Sequence, residues 1–486
     1  METAGTADKA SVSDGGAGSQ GHITGYGSRA YRSYVLGSLL LVYILNFLDR
    51  GLLGIVSEPV MNELQITDGA FGLLTGIGFA LFYSLIGIPI AHMAETRNRV
   101  WIITICIALW TLATAGSGLA REVDLGFITI SGFVFLLIMR VFVGVGEAGC
   151  TPPANSIIAD YYPPARRSTA LGVYAMGVTA GTLAANLIGG RIAALYDWRT
   201  AFIVVGLAGL VVAVLVRLTV KEPPRGYSDP PRAARPERAS FSTALKDLAG
   251  KPSFWWMAAG ATLASFCGYG ITTFQTSFLI RTHGLSLMEA TQIYNVAFAA
   301  AASIGVGLTG WIAEKIVKKR PNAIAWLPGW GLIICVPFYL WGFSSSSLTI
   351  ALIGISLGAL VKYGYLAAQY TIGQGVVGMR SRATSTAILL FIINLFGYGG
   401  GPPFIGFVSD ILFNMSAAAE GLEGFARQSC KGDALAALSE AQQAFCGRAE
   451  ASALQNSLLI TSALYVLPGL CFFMCLRTLQ KDLVAK

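Results

Sequence analysis

From residue 33 onward, long apolar runs alternate with short polar interruptions. Twelve runs can be set off, at about 33–57, 69–93, 100–120, 128–155, 168–194, 201–219, 253–280, 289–313, 323–343, 348–375, 384–412 and 454–476. A helix that crosses a bilayer needs about 20 apolar residues, and these runs are of that length. The stretch 321–361 carries no charge and is too long for one helix; Ser344-Ser345-Ser346-Ser347 divides it. Six runs precede residue 221 and six follow 252. The pattern predicts an all-α membrane protein of twelve transmembrane helices. They form two six-helix bundles, 31–220 and 253–477, joined by a linker over 221–252 and flanked by tails 1–30 and 478–486.

Composition agrees. Hydrophobic residues make up 54% of the 486 and charged residues 12%, against about 25% charged in soluble domains. Too few polar side chains are present to cover a soluble enzyme of this length. The net charge of +8 could suggest nucleic acid, but sidedness explains it. With the N-terminus in the cytoplasm, 24 of the 34 Lys and Arg fall in cytoplasmic segments, counting Arg217 at the cytoplasmic end of its run, 6 in external loops, and Arg50, Arg140, Arg191 and Lys362 deeper inside runs. That bias predicts cytoplasmic termini in a multi-pass protein of the plasma or bacterial inner membrane. No nucleic-acid partner is expected. The tail 1–30 is rich in Gly, Ser and Ala and lacks an apolar core, so it is read as disordered rather than as a signal peptide. The linker contains Pro223-Pro224 and Pro230-Pro231, with a short helix expected over 241–249.

The external segment 413–453 is the one long outside loop, with helical patterns at 417–422 and 434–444. Cys430 and Cys446 lie there, on the oxidising side. A disulfide and two free thiols both fit the sequence. No C-x-x-C pair is present and the three histidines are scattered, so no metal centre is expected.

The two halves echo each other. Ala94-Glu95 follows the second run and Ala313-Glu314 the eighth; Arg166-Arg167-Ser168-Thr169-Ala170 opens the fifth run and Arg382-Ala383-Thr384-Ser385-Thr386-Ala387 the eleventh. Duplicated six-helix halves rocking about a midplane site are the arrangement of major facilitator transporters. Gly144-Val145-Gly146-Glu147-Ala148-Gly149 fits a dinucleotide fingerprint, but it lies inside an apolar run with no preceding strand. Close helix packing through small residues is the better reading.

Arg140-Val141-Phe142-Val143-Gly144-Val145-Gly146-Glu147-Ala148 resembles the fourth-span signature of the major facilitator superfamily, and the segment from Gly87 to Arg99 resembles its loop signature after span two. Glu95 stands there for the usual Asp and Thr96 for the usual basic residue. Trp198-Arg199 matches the pair before span six, so the resemblance covers about 30–475. Within that superfamily, Asn46-Phe47-Leu48-Asp49-Arg50 and the stretch Gly146 to Asp160 resemble the Spinster family of bacterial type. That resemblance implies the major facilitator fold and transport of sphingolipids or lysophospholipids. It also implies a gating set of Gly87, Glu95, Arg99, Arg166, Glu314 and Arg382.

The residues make their own case. A charge at mid-bilayer costs roughly 2.5–3.5 kcal/mol on insertion scales and therefore faces a cavity or a partner. Asp49, Arg50, Arg140, Glu147 and Lys362 are such charges. Arg140 and Glu147 are two helical turns apart on one face, about 10 Å along the axis, too far to bond directly. Asp49 and Arg50 point about 100° apart, so Asp49 with Arg140 is the economical pair. Shifting by about 218 residues places Asp49 opposite Cys267, Arg140 opposite Gly358 and Glu147 opposite Tyr365. Proton chemistry is therefore expected in the N-half, at Asp49 and Glu147. Arg50, Arg140 and Lys362 are candidate substrate-binding or charge-partner residues. The C-half offers Tyr269, Phe274, Gln275, Tyr363, Tyr365, Gln369 and Asn394, which suit an amphiphile's tail; ordinary helix packing also accounts for them. The glycines around 172–181 and 397–401, with Pro152-Pro153, fit either gating or packing.

The expectation is a monomeric proton-coupled transporter of lipid-like amphiphiles, surrounded by membrane lipids and needing no cofactor beyond the coupling proton. The alternative is a proton-coupled transporter of small organic anions or drugs. A lipid enzyme lacks any metal spacing or serine nucleophile motif, and a receptor would leave buried carboxylates unexplained.

Overall fold

The computed structural model describes residues 24–124, 126, 129–229, 241–378, 381–422 and 424–484. Most of the expected disordered tail, residues 1–23, and the linker stretch 230–240 with Pro230-Pro231 lie outside the described residues.

Twelve long helices are present among the described residues. They are α1 (Arg29–Ile55), α2 (Asp68–Thr96), α3 (Arg99–Ser117), α4 (Gly132–Tyr161), α5 (Pro164–Leu195) and α6 (Trp198–Thr219) in the first half. The second half holds α7 (Pro252–His283), α8 (Leu287–Lys319), α9 (Ala323–Ser344), α10 (Leu348–Gly375), α11 (Thr384–Ala419) and α12 (Glu440–Asp482). Eleven are long and apolar enough to cross a membrane by length and composition alone. The twelfth, α7, carries Ser, Thr, Gly and Gln along its 32 residues, because much of it faces protein rather than lipid.

Helix ends follow local chemistry. Ser28, Thr67, Asn98, Ser131 and Asp197 cap the starts of α1, α2, α3, α4 and α6 through their side-chain oxygens. Within each half, α1 packs on α5, α2 on α4 and α3 on α6, while α7 packs on α12 and α9 on α10; α11 packs on α2 across the halves. In α4, an added Cβ at Gly144 would lie 2.7 Å from the Phe79 carbonyl oxygen, and one at Gly146 would lie 2.7 Å from Trp110. The glycine pattern there lets α2 and α3 approach α4.

The last loop departs from expectation. α11 runs to Ala419 and α12 begins at Glu440, some 14 residues before the expected start near 454. A capping box of Ser439 and Gln442 starts α12 early. Phe445, Cys446, Ala449 and Ala453 then bury against Phe413 and Ala417. Cys430 and Cys446 are joined by a disulfide. The helix expected over 241–249 is present as Phe241–Ala249.

Seven of the twelve helices are interrupted, α12 among them between Ala463 and Val466. α2 breaks at Gly76, and α5, α8 and α11 each contain a π-helical turn, at Ala185–Gly190, Ala290–Asn295 and Ile393–Tyr398. α4 breaks between Ala148 and Thr151, and α10 between Lys362 and Tyr365. Such breaks loosen the backbone ladder and often mark functional positions.

Candidate functional site

Three clusters of charge are built by this fold. The first lies inside the N-half. Arg50 of α1 pairs with Glu147 of α4, Nε to Oε2 at 2.5 Å, and Arg140 of α4 faces Asp49 of α1 at 3.8 Å. All four are buried or nearly so; Asp49, Arg140 and Glu147 expose 1% or less. The Asp49–Arg140 pair is the one expected from sequence. Arg50 with Glu147 was not foreseen; it depends on how α1 lies against α4.

The quartet pairs two arginines with two carboxyl groups, yet it is incompletely satisfied. No hydrogen bond of good geometry reaches either oxygen of Asp49, Oε1 of Glu147, or Nε and Nη1 of Arg140. The Arg50 guanidinium sits 5.1, 4.9 and 4.6 Å from the ring centres of Phe47, Phe79 and Tyr83. Phe79 meets Tyr398 of α11, and Tyr398 meets Tyr269 of α7, with ring centres 5.3 and 4.5 Å apart. An aromatic chain thus runs from Arg50 into the other half.

The second cluster joins the halves at the end bearing the 420–439 loop. Asp68 receives Arg281 (2.9 and 3.0 Å), Arg427 (2.7 Å) and the Ser409 hydroxyl (2.7 Å). Arg281 also pairs with Glu58 at 2.6 Å, and Arg427 with Asp410 at 2.6 Å. Lys431 pairs with Glu450 at 2.6 Å. The amide of Gly69 donates to Asp410, and the hydroxyls of Ser57 and Ser277 meet at 2.7 Å. Sequence reading passed over these residues, since each charge sits at a span edge where solvation is the ordinary expectation.

The third cluster lies at the opposite end, with the described chain ends and the linker. Arg99 is fully buried and holds Asp160 (2.5 Å), Glu222 (2.6 Å) and the Ser156 hydroxyl. Arg225 donates to the carbonyls of Ala94 and Arg97. These contacts stay within the N-half and the linker. The other residues of the expected gating set do not gather here. Glu95 pairs with His92 at 3.8 Å, Glu314 with Lys318 at 2.7 Å, and Arg166 and Arg382 are exposed. A Cβ on Gly87 would meet only Ala148, at 3.8 Å. Among the described residues, the hydrogen bonds and ion pairs that cross between the halves lie toward the loop end, where Gln292 also donates to the Asn186 carbonyl. Among the described residues, the bundles are latched at the loop end.

Between them lies a cavity of about 190 Å³, lined by α1, α5, α7, α8, α9 and α10. Lys362, Tyr363 and Gln275 line it, as do Asn186 and Asn295 from two of the π-helical turns. Asn295 is fixed by Gln275 (2.8 Å) and Thr276 (2.9 Å). Other C-half residues singled out from sequence sit elsewhere. Phe274 is fully buried against Phe71 of α2, and Tyr365 is buried with its hydroxyl 3.2 Å from that of Ser265. Gln369 is buried, and Asn394 donates to the Leu390 carbonyl within α11. None of these four lines the cavity.

The break positions also revise the comparison of the halves. Glu147 is the penultimate residue before the break in α4, and Lys362 is the last before the break in α10. Aligned on these breaks, the C-half offers a cation near the place of Glu147, where a fixed shift of about 218 had placed Tyr365.

Residues 39–402 match the model of the Major Facilitator Superfamily. The chain is 32% identical over 377 residues to an MFS-type efflux pump of Mycolicibacterium smegmatis, covering 78% of this chain and 84% of that one. It is 27% identical over 397 residues to human protein spinster homolog 1, covering 78% and 73%. It also resembles the crystal structure of a bacterial homologue of the human lysosomal transporter Spinster, in inward-facing and unoccupied conformation. That likeness has a TM-score of 0.84 at 40% identity and covers 94% of this chain and all of the other.

Proposed function

The chain belongs to the major facilitator superfamily, with Spinster-type transporters among its relatives, and from that premise we propose that it moves lipid-like amphiphiles across the membrane by proton-coupled alternating access. The observation that carries the reading is the buried quartet of Asp49, Arg50, Arg140 and Glu147. Two carboxylates in a low-dielectric site, each tied to one arginine, form a store for protons. A proton on Glu147 removes the attraction that holds Arg50 in the N-half. Arg50 is then free to shift along its aromatic neighbours, which lead through Phe79 to Tyr398 and Tyr269 of the C-half. Protonation of Asp49 frees Arg140 in the same way.

The basic-residue bias supports a cytoplasmic linker end. The loop-end latch is then external, and the conformation is closed outside. Membrane lipids surround the helices, the functional unit is a monomer, and no cofactor beyond the coupling proton is invoked.

A small organic anion or drug is the second reading. It is favoured by the relative named an efflux pump and by the small cavity. Uptake into proteoliposomes separates the two. Single-chain lipids and organic anions are offered in parallel, with and without an inward proton gradient. Gradient-stimulated lipid uptake supports the first reading. Gradient-stimulated uptake of organic anions alone transfers support to the second, and gradient-independent uptake of both removes proton coupling.

A further inference from the structure

Among the described residues lining the cavity between the halves, Lys362 is the one that carries a charge. Its residue is 4% exposed, and no carboxylate lies within ion-pair distance among the described residues. The ammonium lies 4.8 Å from the ring centre of Tyr363 and 5.5 Å from that of Tyr339. Ring faces hold a cation in place without neutralising it. The carbonyls of the last turn before the break in α10 supply a further partial negative charge, about half an elementary charge. A full counter-charge is still missing, and a buried cation without one is unfavourable.

The N-half differs on this point. Its two arginines face two carboxyl groups, so each cation there has its own acidic partner. An anion bound at Arg50 would have to compete with Glu147 at 2.5 Å. At Lys362 an anion meets no competitor.

The rest of the cavity fixes what the anion is attached to. Beyond Lys362 the wall is mainly apolar, with Ile55, Val178, Phe298, Val306 and Leu366. Asn186, Gln275 and Asn295 add neutral polar groups. The volume of about 190 Å³ falls below that of pockets that enclose drug-sized ligands whole. Thr179 on α5 and Val306 on α8 both line the cavity and are exposed, so it opens between these two helices. A ligand with its head inside would extend its tail through that opening.

We propose that Lys362 anchors the anionic head, a phosphate or carboxylate, of the transported amphiphile, while its tail leaves the cavity between α5 and α8. This rests on the transport reading above and narrows its substrate class. The two halves divide the work: the paired quartet handles protons and the C-half lysine handles the head.

Binding to the full chain in nanodiscs tests this with four probes: oleoyl lysophosphatidate, oleate, oleoyl lysophosphatidylcholine and inorganic phosphate. Wild type is expected to bind the two anionic lipids about 10- to 100-fold tighter than the zwitterion, in the range of one charge-assisted hydrogen bond. Inorganic phosphate should fail to compete at millimolar concentration. Lys362→Gln should erase the preference by weakening the two anionic lipids more than the zwitterion, and Lys362→Arg should keep it. Equal wild-type affinity for anionic and zwitterionic lipids overturns the inference alone, and this comparison does not depend on any variant folding. Phosphate binding as tightly as lysophosphatidate also overturns it, in favour of a small-anion site. No binding of any single-chain lipid overturns both the inference and the reading beneath it.

Discussion

Arg427→Ala should open the loop end. Arg427 comes from the segment between α11 and α12 and reaches Asp68 of the other half at 2.7 Å and Asp410 at 2.6 Å. Its side chain is 3% exposed and that of Asp68 is fully buried. The network holds four carboxylates (Glu58, Asp68, Asp410, Glu450) and three cations (Arg281, Arg427, Lys431). Removing Arg427 leaves a second uncompensated negative charge in a closed interface. Breaking a buried pair by deleting one partner costs about 3–5 kcal/mol. Arg281 still holds Asp68, so a net effect of about 2–3 kcal/mol is expected against the latched state. Water reaches these carboxylates once the end opens, so the open state escapes most of that penalty. The equilibrium should shift by roughly 30- to 150-fold toward opening. Ser277→Cys reports it, because Ser277 is buried against Ser57 across the interface. Its reaction with an impermeant thiol reagent, added from outside, should accelerate by about that factor in the Arg427→Ala background. An unchanged rate, with normal folding of both proteins, refutes the claim that this network latches the two halves.

The other expectations concern coupling, the loop, packing and topology. Asp49→Asn and Glu147→Gln mimic the protonated quartet and should each abolish gradient-driven uptake while sparing substrate exchange; wild-type pH dependence in both rules out the proton role. Cys430→Ser unties a 16-residue segment that contains Lys431 and begins three residues after Arg427. It should lower stability by about 2–4 kcal/mol and raise Ser277→Cys labelling in the same direction as Arg427→Ala. Gly146→Ala sets a Cβ about 2.7 Å from Trp110 and should lower the thermal midpoint, by about 1–3 kcal/mol of overpacking, with no change in ligand preference. A Cys at exposed Lys318 should label only in permeabilised cells and one at exposed Asp433 in intact cells; the reverse pattern inverts the topology.

How much could be read from the chain alone differs from feature to feature. The twelve spans were legible because a charge-free run of about 20 residues has few stable fates other than a membrane helix. The quartet was legible as four suspects for the converse reason: a charge inside such a run is costly unless it has a partner or a use. Pairing was another matter. Asp49 with Arg140 followed from elimination, but Arg50 with Glu147 depends on how α1 lies against α4, which helical periodicity cannot supply. The true starts and ends of α11 and α12 depended on apolar contacts between them.

Sequence by itself decided what each segment must avoid, because the transfer of a helix or a charge into lipid depends on composition within one or two turns. Tertiary structure decided which charges meet. Asp68 and Arg427 are 359 residues apart, and nothing near either one distinguishes it from a solvated loop charge. Lys362 shows the same division: its burial was readable from the run around it, whereas its lack of a carboxylate partner among the described residues is a property of every helix packed nearby. Electrostatic energy depends on distance in space and on the local dielectric, and only the packed bundle sets both.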